Sequence, residues 1–367
     1  MPVRLRHVVG CMTGTSIDAI DVALVALEDE GLRLRARVVA AQSRPLDELA
    51  ARLRDVAEQR STTAGEIARL ANDLALKHLE AVRAVAGSRR LEKQRLDLVC
   101  VHGQTVYHLP PVSWQLFQPA PLAHGLGVPV VYDLRAADLA KGGQGAPITP
   151  LADWVLFRAA GERRAIVNLG GYCNVTRLAD ADDAASPAYA VSGADICACN
   201  QLLDGLARAL IDRPMDDGGR QATAGRSLPE LVDPIIIRLG EQAAARRSLG
   251  TGDELARWIL VLAKGHRPED VLRSACVALA RTIADAVIGH RVILAGGGVR
   301  NDCLVEELRA ICNGIATTDD LGVPAQFREA VCFAVLGALC QDRVAITLPA
   351  ITGVKGTAPI SGHWVLP

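Results

Sequence analysis

The chain has 367 residues, half of them apolar and 22% charged, which is enough for two domains that each bury a core. A net charge of −1 gives no electrostatic footprint for nucleic acid or for an anionic membrane. No apolar run approaches the length of a membrane span, and ten cysteines without an apolar leader indicate reduced thiols and a cytoplasmic location.

The first predicted elements are two strands joined by a turn of small and polar residues. Val8 and Val9 lead into the turn, and the alternating run 20–24 leaves it. Glycines allow close approach of the backbone to a ligand, and amides and hydroxyls there can face an anion. Asp18 and Asp21 add carboxylates that can position a metal ion or a water. We predict a phosphate-binding turn, with an ordinary hairpin turn as the alternative; its residues are Thr13, Gly14, Thr15, Ser16 and Asp18.

The segment after this hairpin predicts one more strand and two helices. The strand lies near 33–40, and leucines at helical spacing predict a helix over 46–56. A longer helix begins at a capping box over 63–66 and ends at Gly87.

A second polar cluster follows the apolar strand 96–101. The run 102–105 reads His-Gly-Gln-Thr and stands at the carboxyl end of that strand, where open α/β sheets bind ligands. For His102 and His108 we favour structural hydrogen bonding at a strand end. The glycine-rich loop 141–147 has little helical or strand character and marks a domain junction.

The opening pattern returns after this loop. Residues 164–168 form an apolar strand, Gly170 and Gly171 form a turn, and 174–178 alternates as an exit strand. Recurrence at this scale predicts duplicated α/β domains rather than a short-period solenoid. Two such halves can hold a polyphosphate between their turns.

A third glycine turn follows in the second half. The strand 292–295 leads into the triple glycine 296–298, and 300–302 opens a helix, which suits close backbone packing against a base or a ribose. We place an N-terminal domain at 1–138 and a C-terminal domain at 139–367, each with its own glycine turn.

Asp195 is the carboxylate of greatest interest in the second half. It lies in the run 192–200, where we expect a strand to end and a helix to begin. Asp195 is therefore either an N-cap or a catalytic base. Cys173, Cys197 and Cys199 raise the alternative of a metal or redox site, but their spacing fits no common zinc pattern. We therefore assign no residue as a metal ligand.

Together these motifs resemble the anhydro-N-acetylmuramic acid kinases. That family belongs to the superfamily of sugar kinases, Hsp70 and actin, whose fold is two duplicated ribonuclease-H-like domains with a nucleotide and sugar cleft between them. The most specific match is the block 133–147, DLRAADLAKGGQGAP, which simple sugar kinases and actins lack. The other matching runs are 10–21, 102–105, 168–176, 216–225, 296–301 and 329–334.

The resemblance implies a kinase that uses ATP and Mg²⁺, opens the 1,6-anhydro ring of anhydro-N-acetylmuramic acid with water and phosphorylates O6. The products are N-acetylmuramate 6-phosphate and ADP, in cell-wall recycling. It implies Asp195 as the base, a homodimer, and Gln104, Arg135 and Glu329 facing the sugar. The nucleotide-binding residues it implies are those of the first turn together with Gly170, Gly171, Asn174, Gly296, Gly297, Gly298 and Asn301.

One loop departs from the family pattern. The family's D-T-G-P-G-N is D-I-C-A-C-N at 195–200, which removes a proline, two glycines and the hydroxyl beside the proposed base. Three alternatives follow: a rebuilt but active loop, a kinase for a different anhydro- or amino-sugar, or a non-catalytic relative that binds nucleotide or sugar.

Overall fold

The computed structural model describes residues 5–87, 95–181, 186–244 and 253–367. Contacts divide the chain into two compact units. The first comprises Met1–Arg158, Asp183–Ser192 and Gly322–Pro367, and the second comprises Ala159–Asp182 and Gly193–Leu321.

The secondary structure alternates strands and helices along the chain, as α/β proteins do. The strands are β1 (Leu5–Thr13), β2 (Ala19–Glu28), β3 (Arg35–Pro45), β4 (Leu98–Val101), β5 (Gln104–Leu109), β6 (Val112–Leu116), β7 (Val130–Tyr132), β8 (Arg164–Leu169), β9 (Tyr172–Leu178), β10 (Val191–Ala198), β11 (Arg291–Ala295), β12 (Ala316–Thr317) and β13 (His363–Val365). The helices are α1 (Glu48–Ala57), α2 (Ala64–Ala86), α3 (Ala120–Leu126), α4 (Ala136–Ala140), α5 (Pro150–Phe157), α6 (Pro187–Ala190), α7 (Asn200–Ile211), α8 (Arg220–Ala224), α9 (Pro229–Ala244), α10 (Asp253–Leu262), α11 (Pro268–Ala286), α12 (Asp302–Ile311), α13 (Arg328–Gln341) and α14 (Pro349–Thr352).

The main sheets of the two units have the same topology. The first runs β13-β7-β4-β1-β2-β3 and the second β10-β9-β8-β11-β12. In each, the first strand pairs antiparallel with the second, β1 with β2 and β8 with β9, and parallel with the fourth, β1 with β4 and β8 with β11. The common order 3-2-1-4-5 confirms the predicted duplicated α/β fold of the ribonuclease-H-like kind.

Several local predictions are confirmed with small shifts of boundary. The two strands and the turn between them form β1 and β2, and the third strand is longer than expected, Arg35–Pro45. The capping box is present at the start of α2: the Thr63 hydroxyl accepts from the Glu66 amide at 3.3 Å, and the Glu66 carboxylate accepts from the Thr63 amide at 2.8 Å.

The C-terminal segment belongs to the first unit. Helix α13 is buried almost throughout and packs against β1, β2 and β4. Gly10 of β1 allows this approach, because a Cβ at that position would lie 2.0 Å from the Ala330 carbonyl oxygen. The tail adds β13 to the edge of the sheet by antiparallel pairing with β7. This division differs from the predicted domains 1–138 and 139–367, because residues 139–158, 183–192 and 322–367 belong to the first unit.

The segment 215–225 contains a 3-10 turn at Asp217–Gly219 followed by α8. The Asp216 carboxylate accepts from the amides of Gln221 and Ala222, both at 2.9 Å, and so caps α8. Within the described residues, no helix combines the length and the hydropathy that a membrane span needs.

Candidate active site

The first glycine turn lies between β1 and β2 in the first unit. Thr13 is buried at the end of β1, and its hydroxyl donates to the Gly103 carbonyl oxygen at 2.7 Å. The Gly14 carbonyl accepts from the Ile17 amide at 3.2 Å and closes the turn. The Thr13 hydroxyl therefore ties the turn to the loop after β4.

The other predicted residues of this turn face outward. Thr15, Ser16 and Asp18 are exposed, and the Ser16 hydroxyl donates to the Asp18 carboxylate at 2.6 Å. Burial raises the pKa of Asp21 to about 6, and the negative charges of Asp18 and Glu329 add to the rise. The Oδ1 atom of Asp21 is buried and has no hydrogen-bond partner among the described residues.

Gln104 contacts the first turn directly. It is 1% exposed, and its Nε2 donates to the carbonyl oxygens of Gly14 at 3.4 Å and Thr105 at 3.2 Å. Its Oε1 is buried without a hydrogen-bond partner in the part of the chain that the structure describes. A buried amide oxygen without a partner costs free energy, and a ligand hydroxyl or amide would relieve that cost.

Arg135 is held by His102 and by the glycine-rich loop. Its Nη1 donates to the Gly145 carbonyl oxygen at 2.6 Å, and its Nη2 lies 3.0 Å from His102 Nε2. His102 Nδ1 lies 2.8 Å from the Gly103 carbonyl oxygen, which only accepts, so Nδ1 carries the proton and Nε2 accepts from Arg135. Burial, and then the charge of Arg135, lowers the pKa of His102 to about 3. His102 therefore stays neutral and orients the guanidinium.

Glu329 begins α13 close to these groups. It is partly buried, and burial raises its pKa, while the positive charges of Arg328 and Arg135 act in the opposite direction. Arg328 is itself buried and donates from Nε to the Asp153 carboxylate at 2.8 Å. The structure thus gathers Glu329, Arg135 and Gln104 near the first turn, within one unit.

The second turn, between β8 and β9, is tied to the start of α7 in the second unit. The Asn200 amide donates to the Gly170 carbonyl at 3.0 Å, and the Cys199 amide donates to the Gly171 carbonyl at 2.9 Å. The Asn200 side chain adds a bond from Nδ2 to the Leu169 carbonyl oxygen at 3.0 Å.

The triple-glycine turn lies against the second turn. Gly296 has φ +84°, and a Cβ there would lie 2.7 Å from Asn168 Oδ1. A Cβ on Gly298 would lie 2.6 Å from the Leu169 Cβ and 3.0 Å from Asn200 Oδ1. Any side chain at either position would push the two turns apart, which is why glycine is needed in both.

The remaining predicted nucleotide residues surround these turns. A Cβ on Gly297 would meet no atom of the described residues within 4 Å, so that face of the turn is open. Asn301 is the N-cap of α12, with its Oδ1 accepting from the Leu304 amide at 3.0 Å. Asn174 lies on β9 directly opposite Asn168 of β8.

The predicted position of Asp195 at a helix N-terminus is wrong. Asp195 is an exposed residue within β10, the strand continues to Ala198, and α7 begins only at Asn200. Ile196, Cys197 and Ala198 are buried and continue the strand, since the run lacks the glycine and proline that would end it. Asp195 is therefore neither an N-cap nor a group that a helix dipole stabilises.

The metal or redox alternative at the cysteines gains no support. Cys173, Cys197 and Cys199 are buried, and burial raises the pKa of each thiol, that of Cys199 to about 12. A protonated thiol is a poor metal ligand and a poor nucleophile. Within the described ranges, no three His, Cys, Asp or Glu side chains form a group suited to a metal ion.

Asp138 has a role that the sequence did not assign. It is fully buried, with one carboxylate oxygen accepting from the Gly145 amide at 2.8 Å and the other from the Thr352 hydroxyl at 2.8 Å. Gly145 in turn holds Arg135. Asp138 lies within the family-specific block 133–147, and this position is the sequence signal that could have drawn attention to it.

Arg54 was also missed, and no sequence motif marks it. It lies on α1, and its Nη2 donates to the carbonyl oxygens of Ser16 at 3.1 Å and Ile17 at 3.0 Å, both in the first turn. The sequence separation of more than 30 residues hides this contact from any local pattern.

Two α/β units of one topology, each with a glycine turn after its first strand, define a duplicated α/β protein with nucleotide-type turns. A family model described as "Anhydro-N-acetylmuramic acid kinase" matches residues 6–363. The chain belongs to the anhydro-N-acetylmuramic acid kinase family.

Relatives that carry this name span nearly all of the chain. The protein from Salinibacter ruber is 35% identical and covers 97% of this chain and 95% of its own length. The protein from Bordetella pertussis is 36% identical and covers 95% of this chain and 93% of its own length. Among solved structures, the chain is similar to the activator of the 2-hydroxyisocaproyl-CoA dehydratase from Clostridium difficile, at 14% identity and a TM-score of 0.47. The match covers 90% of this chain and 94% of the activator. It is also similar to xylulose kinase from Rhodospirillum rubrum, at 14% identity, a TM-score of 0.42, and 90% coverage of each chain.

Proposed function

We propose that the protein phosphorylates anhydro-N-acetylmuramic acid with ATP in cell-wall recycling. Water opens the 1,6-anhydro ring, O6 accepts the γ-phosphoryl group, and N-acetylmuramate 6-phosphate and ADP leave. The observation that carries this proposal is the family match over residues 6–363, with full-length relatives named for this kinase.

The three glycine turns are the groups that bind ATP in this proposal. The first turn, through residues 13–18, and the second, through Gly170 and Gly171, offer backbone amides to the phosphates. The open face at Gly297 leaves room for the adenosine. Phosphoryl transfer depends mainly on positioning and electrostatics, which rigid turns supply.

Asp18 of the first turn and Asp21, near the start of β2, are the residues that fit a magnesium ion best. Carboxylate oxygens are the hard ligands that Mg²⁺ takes beside phosphate oxygens, and Asp21 Oδ1 is buried without a protein partner in the described chain. When bound, Mg²⁺ neutralises charge on the phosphates. A bound cation would also keep Asp21 ionised in spite of its raised pKa.

Gln104, Arg135 and Glu329 bind the sugar in this proposal. Arg135 is fixed by two partners and is the cation suited to the carboxylate of a muramic acid. Gln104 Oε1 is a buried acceptor ready for a hydroxyl or amide donor, and Glu329 is a further acceptor. Neutral His102 keeps the guanidinium in place without adding a competing charge.

Asp195 is the proposed base. It is exposed, so water reaches its carboxylate, and the strand that contains it fixes its backbone. A weak base suffices, because the bridging oxygen leaves as water attacks and the oxocarbenium-like transition state needs nearby negative charge.

The test is ADP release from Mg-ATP with and without anhydro-N-acetylmuramic acid. We expect sugar-dependent turnover in the wild type, a loss of about 10²- to 10⁴-fold in Asp195→Asn, and no loss in Asp233→Asn, an exposed carboxylate on α9. Full turnover in Asp195→Asn would refute the assignment of Asp195 as the base.

The altered loop 195–200 favours a second candidate, a kinase for a different anhydro- or amino-sugar or a non-catalytic binding protein. ATP binding without stimulation by anhydro-N-acetylmuramic acid, followed by turnover with another anhydro-sugar, would select the different kinase. Binding without turnover on any sugar would select the non-catalytic protein.

The resemblance to the family also supports a homodimer. Light scattering would then give twice the 38.8 kDa of one chain. The cytoplasmic location, expected from the cysteine content, stays a prediction that fractionation of cells tests.

A further inference from the structure

We propose that Arg54 is a positioning residue that holds the first glycine turn in the conformation that binds nucleotide phosphates. This inference rests on the proposed function of that turn. Arg54 lies on α1, outside every motif that the family resemblance uses, and its guanidinium hydrogen-bonds to the turn.

The turn has an unusual backbone at its tip. Ile17 has φ 51°, in the left-handed region that β-branched residues rarely adopt. Such a residue persists only where its surroundings hold it, and strain of this kind is typical of ligand-binding turns.

Two anchors hold Ile17 in this conformation. Its side chain is 5% exposed and packs in the core beneath the sheet of the first unit. Its carbonyl oxygen, with that of Ser16, accepts from Arg54 Nη2 at 3.0 and 3.1 Å. One cation thus fixes two consecutive peptide groups.

Fixing these carbonyls also sets the direction of an amide. In a trans peptide the N–H points opposite the C=O, so the Ile17 carbonyl, held toward Arg54, directs the Asp18 amide away from it. The guanidinium also places a positive charge beside the carbonyl oxygens of Ser16 and Ile17, next to Asp18 in the chain. This charge offsets part of the negative charge that the Asp18 carboxylate would present to a phosphate. Loss of Arg54 therefore weakens phosphate binding specifically.

A purely structural anchor between α1 and the hairpin would behave differently. It would lower stability and weaken nucleotide and sugar binding together. A positioning residue weakens nucleotide binding far more than sugar binding. Arg135 is held by Gly145 and His102, and Gln104 donates to the Thr105 carbonyl oxygen as well as to that of Gly14 in the turn.

The experiment compares Arg54→Ala and Arg54→Lys with Arg52→Ala. Arg52 is the matched control, since it lies on the same helix and pairs with Asp73 at 3.0 Å. The measurements are the KM for Mg-ATP and for the sugar, the Kd for the magnesium complex of the non-hydrolysable analogue AMPPNP, and the melting temperature.

We expect Arg54→Ala to raise the KM for Mg-ATP and the Kd for the analogue about tenfold, with the KM for the sugar within about twofold of wild type. Arg54→Lys keeps the charge and one donor group, so we expect an intermediate Kd. Arg52→Ala should match the wild type.

An analogue Kd in Arg54→Ala equal to that in Arg52→Ala would overturn the proposal, as would equal losses of nucleotide and sugar affinity. If Arg54→Ala does not fold, Arg54→Lys decides, and a wild-type Kd in that variant overturns the proposal. A wild type without sugar-dependent ADP release would refute the proposed function, whereas the analogue titration would still decide the role of Arg54.

Discussion

Replacing Gly10 by alanine tests how closely helix α13 lies against strand β1. The added Cβ would lie 2.0 Å from the Ala330 carbonyl oxygen and 2.4 Å from the Ala334 amide nitrogen. Both are backbone atoms of a buried helix, so no side-chain rotation relieves the clash. Contact between such atoms begins at about 3.5 Å, so the strand or the helix has to shift by about 1.5 Å.

The expected cost is at the upper end of the range for overpacking, about 3 kcal/mol or more. For a chain of 367 residues that corresponds to a melting temperature lower by roughly 4 °C or more. The shift also moves Glu329, which adjoins Ala330, so we expect a higher KM for the sugar.

Gly240→Ala is the matched control. Gly240 lies on the exposed face of α9, where a Cβ would meet no atom of the described residues within 4 Å. Alanine is favoured over glycine in a helix by about 1 kcal/mol, so this variant should melt at or slightly above the wild-type temperature. The two variants are compared by thermal melting followed by circular dichroism. Equal melting temperatures for Gly10→Ala and Gly240→Ala would refute the close packing of α13 on β1.

Two further predictions concern buried polar groups of the first unit. Burial lowers the pKa of His78 to about 4, so between that value and about 6.5 the unfolded chain binds more protons and stability falls as the pH falls. At pH 5 this loss of stability amounts to about 2 kcal/mol. The variant His78→Gln lacks the titrating group, so its unfolding free energy should fall between pH 7 and pH 5 by about 2 kcal/mol less than that of the wild type. Urea unfolding at the two pH values measures the difference. The same pH dependence of stability in His78→Gln and in the wild type would contradict this prediction. Asp138→Ala removes the acceptors of the Gly145 amide and the Thr352 hydroxyl and so loosens the loop that holds Arg135. We expect a KM for the sugar about tenfold higher with little change in the KM for ATP, a split that equal changes in both constants would disprove.

The local elements were predictable because their causes are local. The capping box before α2 needs only Thr63 and Glu66 at the right spacing, and the hairpin of β1 and β2 needs only two apolar runs and a glycine turn. The repeated strand–turn–strand pattern likewise predicted the duplication that the shared sheet topology confirms.

The position of Asp195 was not predictable from the same kind of pattern. The short run after it is apolar, and such a run is compatible with the last residues of a strand or with the start of a helix. Pairing of β10 with β9 decides in favour of the strand, and that pairing depends on residues distant from Asp195 in the chain.

Residue type and spacing along the chain are enough to predict the α/β class, the duplication, the glycine turns and the family. The tertiary structure decided which residues act together: Arg54 on the first turn, His102 and Asp138 behind Arg135, and the return of α13 to β1. Some of these contacts join residues from distant parts of the chain, and others depend on the folded conformation of a loop. Their geometry follows from how strands pair and helices pack, which no local spacing encodes.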